Sequence, residues 1–207
     1  VAGTPGTASV REARRAQRLA ARREEILTVA ERLFASHGYE GTSAERIAAG
    51  AGYSVGAIYK FFPSKDAIYL AVLERNALSL ADRLRECVQS SGTGLEKLLA
   101  MASTVIRTVR AHPDRARLTF GSLAPERNSS AKAASTEALL EVYSTGIREG
   151  QRDGTIRAGD PDLLAYYVGG LVTAHLGVDA EISHRPVGVP LEEFLEIVRQ
   201  AFEPRSQ

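Results

Sequence analysis

Apolar residues return every three or four positions along most of the chain, and no stretch alternates apolar and polar residues long enough to make a convincing strand. From Arg22 the run Ile26, Ala30, Leu33 and Phe34 predicts a helix that ends near His37, with Gly38 as its stop. Thr42 and Ser43 supply capping oxygens for a very short second helix with Ile47, Ala48 and Ala51 on one face, closed by Gly52. Ser54 caps a third helix with Ile58 and Phe62 one turn apart, and Pro63 ends it. Ser64 then opens a long fourth helix carrying Leu73, Ala77, Leu80, Leu84 and Val88 on one stripe.

Past the break at "SSGTG" the pattern predicts a helix over Leu95 to Arg110, a short one restarting after Pro113, and a loop from Phe120 to Asn128. Another helix follows with Thr136, Leu140, Tyr143 and Ile147, breaking at "GQRDG". "GDP" at Gly159 to Pro161 announces the next, with Asp as cap and Pro in the first turn. That helix, "LLAYYVGGLVTAHLGV", is apolar nearly all round. The last carries Leu191, Phe194, Leu195, Val198 and Phe202 as a broad stripe. Both need partners on more than one side. The reading is all-α, without internal repeat or heptad run.

The third helix is odd. "SVGAIYKFFPSK" is too short and too poor in helix formers to be stable alone. Two short helices joined by the turn "GYS" are the arrangement of a helix-turn-helix, whose second helix enters the DNA major groove. Gly56 and Ala57 would let the backbone lie near base edges, while Val55 and the Ala57 methyl could touch thymine methyls. Lys60 reaches guanine or phosphate, and Tyr59 offers a hydroxyl to phosphate from a rigid ring. Thr42, Ser43, Ser54 and Lys65 stand at helix starts, where backbone N–H groups already favour an anion.

Charge changes the picture at one end only. The net charge is +1, but residues 1–75 hold 11 Lys and Arg against 8 Asp and Glu, and the rest hold 15 against 17. Arg11, Arg14, Arg15, Arg18, Arg22 and Arg23 are opposed within residues 1–23 by Glu12 alone. Such an end suits nucleic acid or an anionic surface, or is a solvated tail. The opening "VAGTPGTASV" has too little apolar bulk to order itself, so residues 1–21 are expected to form a disordered, Arg-rich arm.

At these residues the chain resembles a known family. The run "GYEGTSAERIAAGAGYSVGAIYKFFPSKDAI" is similar to the DNA-binding domain of the TetR family of bacterial transcriptional repressors. The resemblance covers about residues 22–75 and implies DNA contact at Thr42, Ser43, Ser54, Val55, Gly56, Ala57, Tyr59, Lys60 and Lys65. Tyr53, Phe61 and Ile68 depart from the family's usual Val, His or Tyr, and Leu; Phe61 thereby loses a polar contact. It further implies a DNA-binding domain over 22–67 and a helical domain over 68–207 that takes a small molecule and pairs two chains. The pairing is expected through helices 163–180 and 190–203, and the partners are a pseudo-palindromic duplex operator and a small-molecule inducer.

Other chemistry is sparse. The single Cys87 excludes an internal disulfide and a Cys-based zinc site. His37, His112, His175 and His184 are scattered, without HExxH, GxSxG or a phosphate-binding glycine loop, so neither catalysis nor a metal or cofactor is expected. A helical adaptor binding membrane or RNA is the rival reading. No apolar run approaches membrane-spanning length and no leader is recognised, which makes the cytoplasm the default. Asn76, Met101, Thr104, Phe120 and Tyr143 mix apolar bulk with sparse polar tips and are candidates to line a ligand cavity.

Overall fold

The computed structural model describes residues 7–112, 118, 129–178 and 189–204. Among them all regular structure is helical, as the periodicity predicts. The helices are α1 (Thr7–His37), α2 (Ala44–Ala51), α3 (Val55–Tyr59), α4 (Lys65–Gln89), α5 (Gly94–Ala111), α6 (Ser129–Arg152), α7 (Pro161–Val178) and α8 (Leu191–Phe202). The short helix expected after Pro113 and the loop expected at 120–128 lie outside the described residues, Leu118 excepted. Two compact units divide at Val72 and Leu73, five residues later than the expected boundary and inside α4.

The first unit is a small helical core around α1. Ile26, Leu27, Ala30 and Phe34 of α1 are buried with Ile47 and Ala48 of α2, Ile58 of α3, and Ile68 and Tyr69 of α4. Phe34 meets Tyr69 edge-on at 5.1 Å and stacks with Tyr39 at 5.9 Å, so three rings close one end of this core. Gly50 lets α2 lie against α1: a Cβ there would stand 2.8 Å from Val29 Cγ1.

α1 corrects one expectation. It begins at Thr7, so residues 7–21 are helical rather than a disordered arm. Residues 10–25 are all exposed, so no core holds them. They are, however, mostly Ala and Arg, both strong helix formers, and they extend a helix already nucleated where it packs. Apolar periodicity cannot register such a segment, because its stability lies in propensity.

The second unit packs the rest of α4 with α5, α6, α7 and α8 around Leu84, Leu98, Ala102, Ile147, Val168 and Val198. A close crossing joins α5 to the end of α6, where a Cβ on Gly94 would fall 2.1 Å from Gly150 Cα. The first turn of α5 is fully satisfied there. Gly94 N donates to Asp153 Oδ2 (2.6 Å), Leu95 N to Thr155 Oγ1 (3.1 Å), and Thr93 and Glu96 complete a capping box. α6 ends at Arg152, within the "GQRDG" segment where the sequence predicts a break. Asp160 accepts from the N–H groups of Asp162 and Leu163, the cap that "GDP" predicts.

Candidate nucleic-acid interface

The turn between α2 and α3 is built from local chemistry. α2 starts on Ser43, whose Oγ accepts from Arg46 N at 3.3 Å, and stops at Gly52, whose φ of 74° is the left-handed conformation that favours glycine. Tyr53 N donates to Ala48 O at 2.9 Å, which turns the chain. Ser54 then caps α3 by accepting from Ala57 N at 3.2 Å. The Tyr53 hydroxyl donates to Glu25 Oε2 at 2.7 Å, fastening the turn to α1. That bond pushes the phenol upward in pKa; desolvation and the Glu25 charge add to it, and the Arg22 charge opposes it.

α3 is one turn and a half of helix held by a single buried side chain, Ile58, followed by buried Phe62. Its outward side is Ser54, Gly56, Tyr59 and Lys60, all exposed, with Val55 and Ala57 half-buried beside them. Tyr59 is 46% exposed, which no packing requirement explains. Gly56 has no unusual backbone angle, and a Cβ added to it would meet nothing within 4 Å. Helical packing therefore gives no reason for a glycine there, although glycine costs a helix about 1 kcal/mol relative to alanine. A surface that comes within a methyl group of the backbone would.

The remaining expected contacts divide. Lys65 is half-buried; its Nζ donates to Tyr39 O at 3.0 Å and lies 4.0 Å from the centre of the Tyr39 ring. Two ammonium donors remain for an anion. Ser43 faces partly outward, but its hydroxyl also donates to the Glu45 carboxylate, which helps hold that acid below its usual range after the larger effect of a backbone N–H. Thr42 does not belong on this surface. It is 2% exposed, and its Oγ1 donates to Gly38 O (2.8 Å) and Leu33 O (3.1 Å), so it finishes α1 rather than meeting a phosphate. Tyr39 and Arg46 are supporting residues that the sequence pattern does not single out. Tyr39 donates to Asp66 and supports Lys65, while Arg46 donates to Gly41 O at 3.0 Å and so fixes the loop that positions Ser43.

This geometry coincides with a sequence match. Residues 26–72 fit the family "Bacterial regulatory proteins, tetR family", a span that contains every element of the turn and α3. Over this span the chain is similar to the TetR family. The HTH-type transcriptional repressor AcnR of Corynebacterium diphtheriae is 37% identical over 97 residues, taking in 47% of this chain and 44% of that protein. The chain thus spans under half of that relative's length. Among solved structures, reduced NemR of E. coli superposes with a TM-score of 0.74 at 25% identity, covering 88% of this chain and 97% of that one. FadR of Bacillus subtilis, solved with stearoyl-CoA, gives 0.74 at 20% identity over 86% and 95%, a likeness of fold. The TetR match rests on the first unit; the likeness of fold extends through the second.

In the second unit the expected ligand residues sit in or beside the core. Met101 is fully buried and fills the space that Gly146 leaves, where a Cβ would stand 2.6 Å from its Cε. Thr104 Oγ1 lies 3.4 Å from Cys87 Sγ. Tyr143 is buried, and its hydroxyl has no hydrogen-bond partner among the described residues; burial and the neighbouring Cys87 push its pKa strongly upward. Asn76 Nδ2 is likewise buried and unpaired, whereas Phe120 lies outside the described residues. His175 is core, stacked on Phe194 at 4.3 Å. Leu163, Tyr166 and Tyr167 of α7, and Ile197 of α8, stand exposed instead. A cleft of about 420 Å³ runs between α7 and α8 past Tyr166, Tyr167, Gly170 and Phe202. No group of three or more metal-binding side chains forms among the described residues, and no described helix is long and apolar enough to cross a membrane.

Proposed function

We propose that the chain is a ligand-responsive transcriptional regulator, acting as a repressor in the cytoplasm, that binds a two-fold duplex operator as a homodimer. The observation that carries this reading is α3, whose outward side offers an unencumbered glycine backbone beside Ser54, Tyr59 and Lys60. Small residues allow close approach to base edges, and Lys60 and Tyr59 supply the base or phosphate contacts. Dimerisation is supported by α7. Leu163, Tyr166, Tyr167, Gly170, Ala174 and Gly177 all face outward at helical spacing, a face that a second copy related by a two-fold axis would cover. The unpaired hydroxyl of Tyr143 and the amide of Asn76 support a ligand that brings polar atoms into a largely apolar unit. α4 runs unbroken from Lys65 to Gln89, so a tilt imposed at one end moves the other. DNA and inducer then weaken each other by the same factor.

The test is selection of binding sites from a random duplex library. The expected product is a symmetric site with half-sites about one helical turn apart or a multiple of it. Lys60→Ala should bind that site more weakly with unchanged helicity and mass. No enriched sequence, or undiminished binding by the variant, would overturn the reading.

A further inference from the structure

The exposed opening half of α1 carries a chemistry that the helix-turn-helix does not use. At about 100° of turn per residue, Arg11, Arg14, Arg15, Arg18 and Arg22 all fall within about 100° of arc, one side of the helix. All five are exposed, and Glu12 is the only acid among residues 7–23. At 1.5 Å per residue the stripe is about 17 Å long.

Its direction is set by what lies at its end. Glu25 continues the same stripe, and its carboxylate holds the Tyr53 hydroxyl. Arg22, one turn earlier, is close enough for its charge to act on the same phenol. Arg23, turned about 80° past the edge of the stripe, lies 5.0 Å over the Phe62 ring and anchors the helix there. The row of guanidinium groups thus begins at the residue preceding Ser54 and runs outward from it.

We infer that this stripe is a second DNA-binding surface, which grips the phosphate backbone of the duplex flanking the site read by α3. This rests on the proposed DNA-binding function and extends it from one turn of helix to a longer footprint. Each strand of duplex DNA presents one phosphate per 3.4 Å of helix axis, so a stripe of this length lying along that axis spans about five phosphates of one strand. The opposite side of the helix argues against a lipid surface. It is Ala13, Ala16, Gln17 and Ala20, and the large apolar residues Val10 and Leu19 do not form a face that could enter an acyl layer. A surface with charge and no apolar partner face suits a polyanion. Because the arginines are fixed on a helix, they act as a ruler rather than as a loose tail: their contacts need duplex at a set distance from the half-site.

Two variants separate these ideas. R11Q/R14Q/R15Q/R18Q removes charge, and Ala16→Pro keeps every charge but breaks the helix in the middle of the stripe. Both are measured on the selected site with long flanks, on the same site trimmed to its half-sites, and on random duplex. The slope of log K against log salt should flatten in the quadruple variant by about 0.9 for each phosphate that is no longer neutralised. Trimming the flanks should weaken the parent protein and leave the quadruple variant unchanged, and Ala16→Pro should lose the flank dependence. Equal slopes for parent and quadruple variant on both specific and random duplex would overturn the inference. So would a parent indifferent to trimming, Ala16→Pro matching the parent, or arginine-dependent binding to phosphatidylglycerol vesicles with an unchanged DNA slope. A selection that yields no site is a failure of the function proposed above; the random-duplex slopes still decide the stripe.

Discussion

Two helices in this chain show solvent a glycine that nothing inside the protein accounts for, and their surroundings are opposite. In α3, Gly56 stands among Ser54, Tyr59 and Lys60; in α7, Gly170 stands among Leu163, Tyr166 and Tyr167. Neither has a left-handed backbone, and a Cβ on either would meet nothing within 4 Å. Gly94 is the contrast, since its missing side chain is occupied by the Gly150 backbone. A helix bears the cost of an exposed interior glycine when another surface must come close. The neighbours then indicate what that surface is. Polar tips around Gly56 point to a hydrated polyanion, and large apolar groups around Gly170 to a second protein face.

The widest break in this comparison comes at α7. Replacing both Tyr166 and Tyr167 by Asp puts charge where the mate's apolar face would lie. The side chains are 65% and 58% exposed, so the protomer should keep its helicity and stability within about 0.5 kcal/mol. Light scattering should show a monomer. Operator affinity should fall about 100-fold or more, because one half-site alone loses the gain of linked binding. A dimer of normal mass would remove α7 from the interface.

Gly56→Ala sharpens the comparison from the other side. In the free protein the methyl has room, and alanine is the better helix former by about 1 kcal/mol, so thermal stability should hold or rise. Operator affinity should nevertheless drop about tenfold, roughly 1.4 kcal/mol, with dimer mass unchanged. Gly170→Ala should do the reverse: it should leave DNA contact by α3 intact and weaken the dimer. Should Gly56→Ala bind DNA as tightly as the parent, the glycine would have no DNA-facing role.

What the sequence disclosed follows the range of the forces involved. Ser43, Gly52, Ser54 and Pro63 act on neighbours within a few residues, and each does what its type predicts. The apolar stripes of α4, α5 and α8 face their cores because a helix repeats regularly. Thr42 misled because its hydroxyl turns back to Leu33 O, a carbonyl on another element that local pattern does not reveal. Met101 looked like a cavity residue for a similar reason: the space it fills is made by Gly146, 45 positions away along the sequence. The opening of α1 was missed because an Ala-Arg helix has no apolar period to read. Exposed faces were the least legible, since a sequence shows that a helix is apolar all round but not which side its own core takes.

The smallest expected effect concerns the inward glycine. Gly94 N donates to Asp153 Oδ2, and the Thr155 N–H and hydroxyl both donate to Oδ1 (3.0 and 2.6 Å). These bonds, the Thr155 hydroxyl foremost and then Gly94 N–H, favour the charged carboxylate and hold its pKa below the usual value. A carboxylate depressed on folding stabilises the native state above the unfolded pKa of about 3.9, and that contribution is lost as pH falls through the folded value. Asp153→Asn should therefore flatten the acid limb of the stability curve below about pH 4 while leaving its slope near neutrality unchanged. The effect is modest, because Asp153 faces water and because Glu96, lowered by Thr93 on the same helix end, still titrates in the variant. Denaturant melts of parent and variant from pH 7 downward would measure it. If the two acid limbs superimpose, the cap on Gly94 is held by Thr93, Thr155 and the backbone crossing alone. The inward glycine would then be fixed by packing, without help from charge.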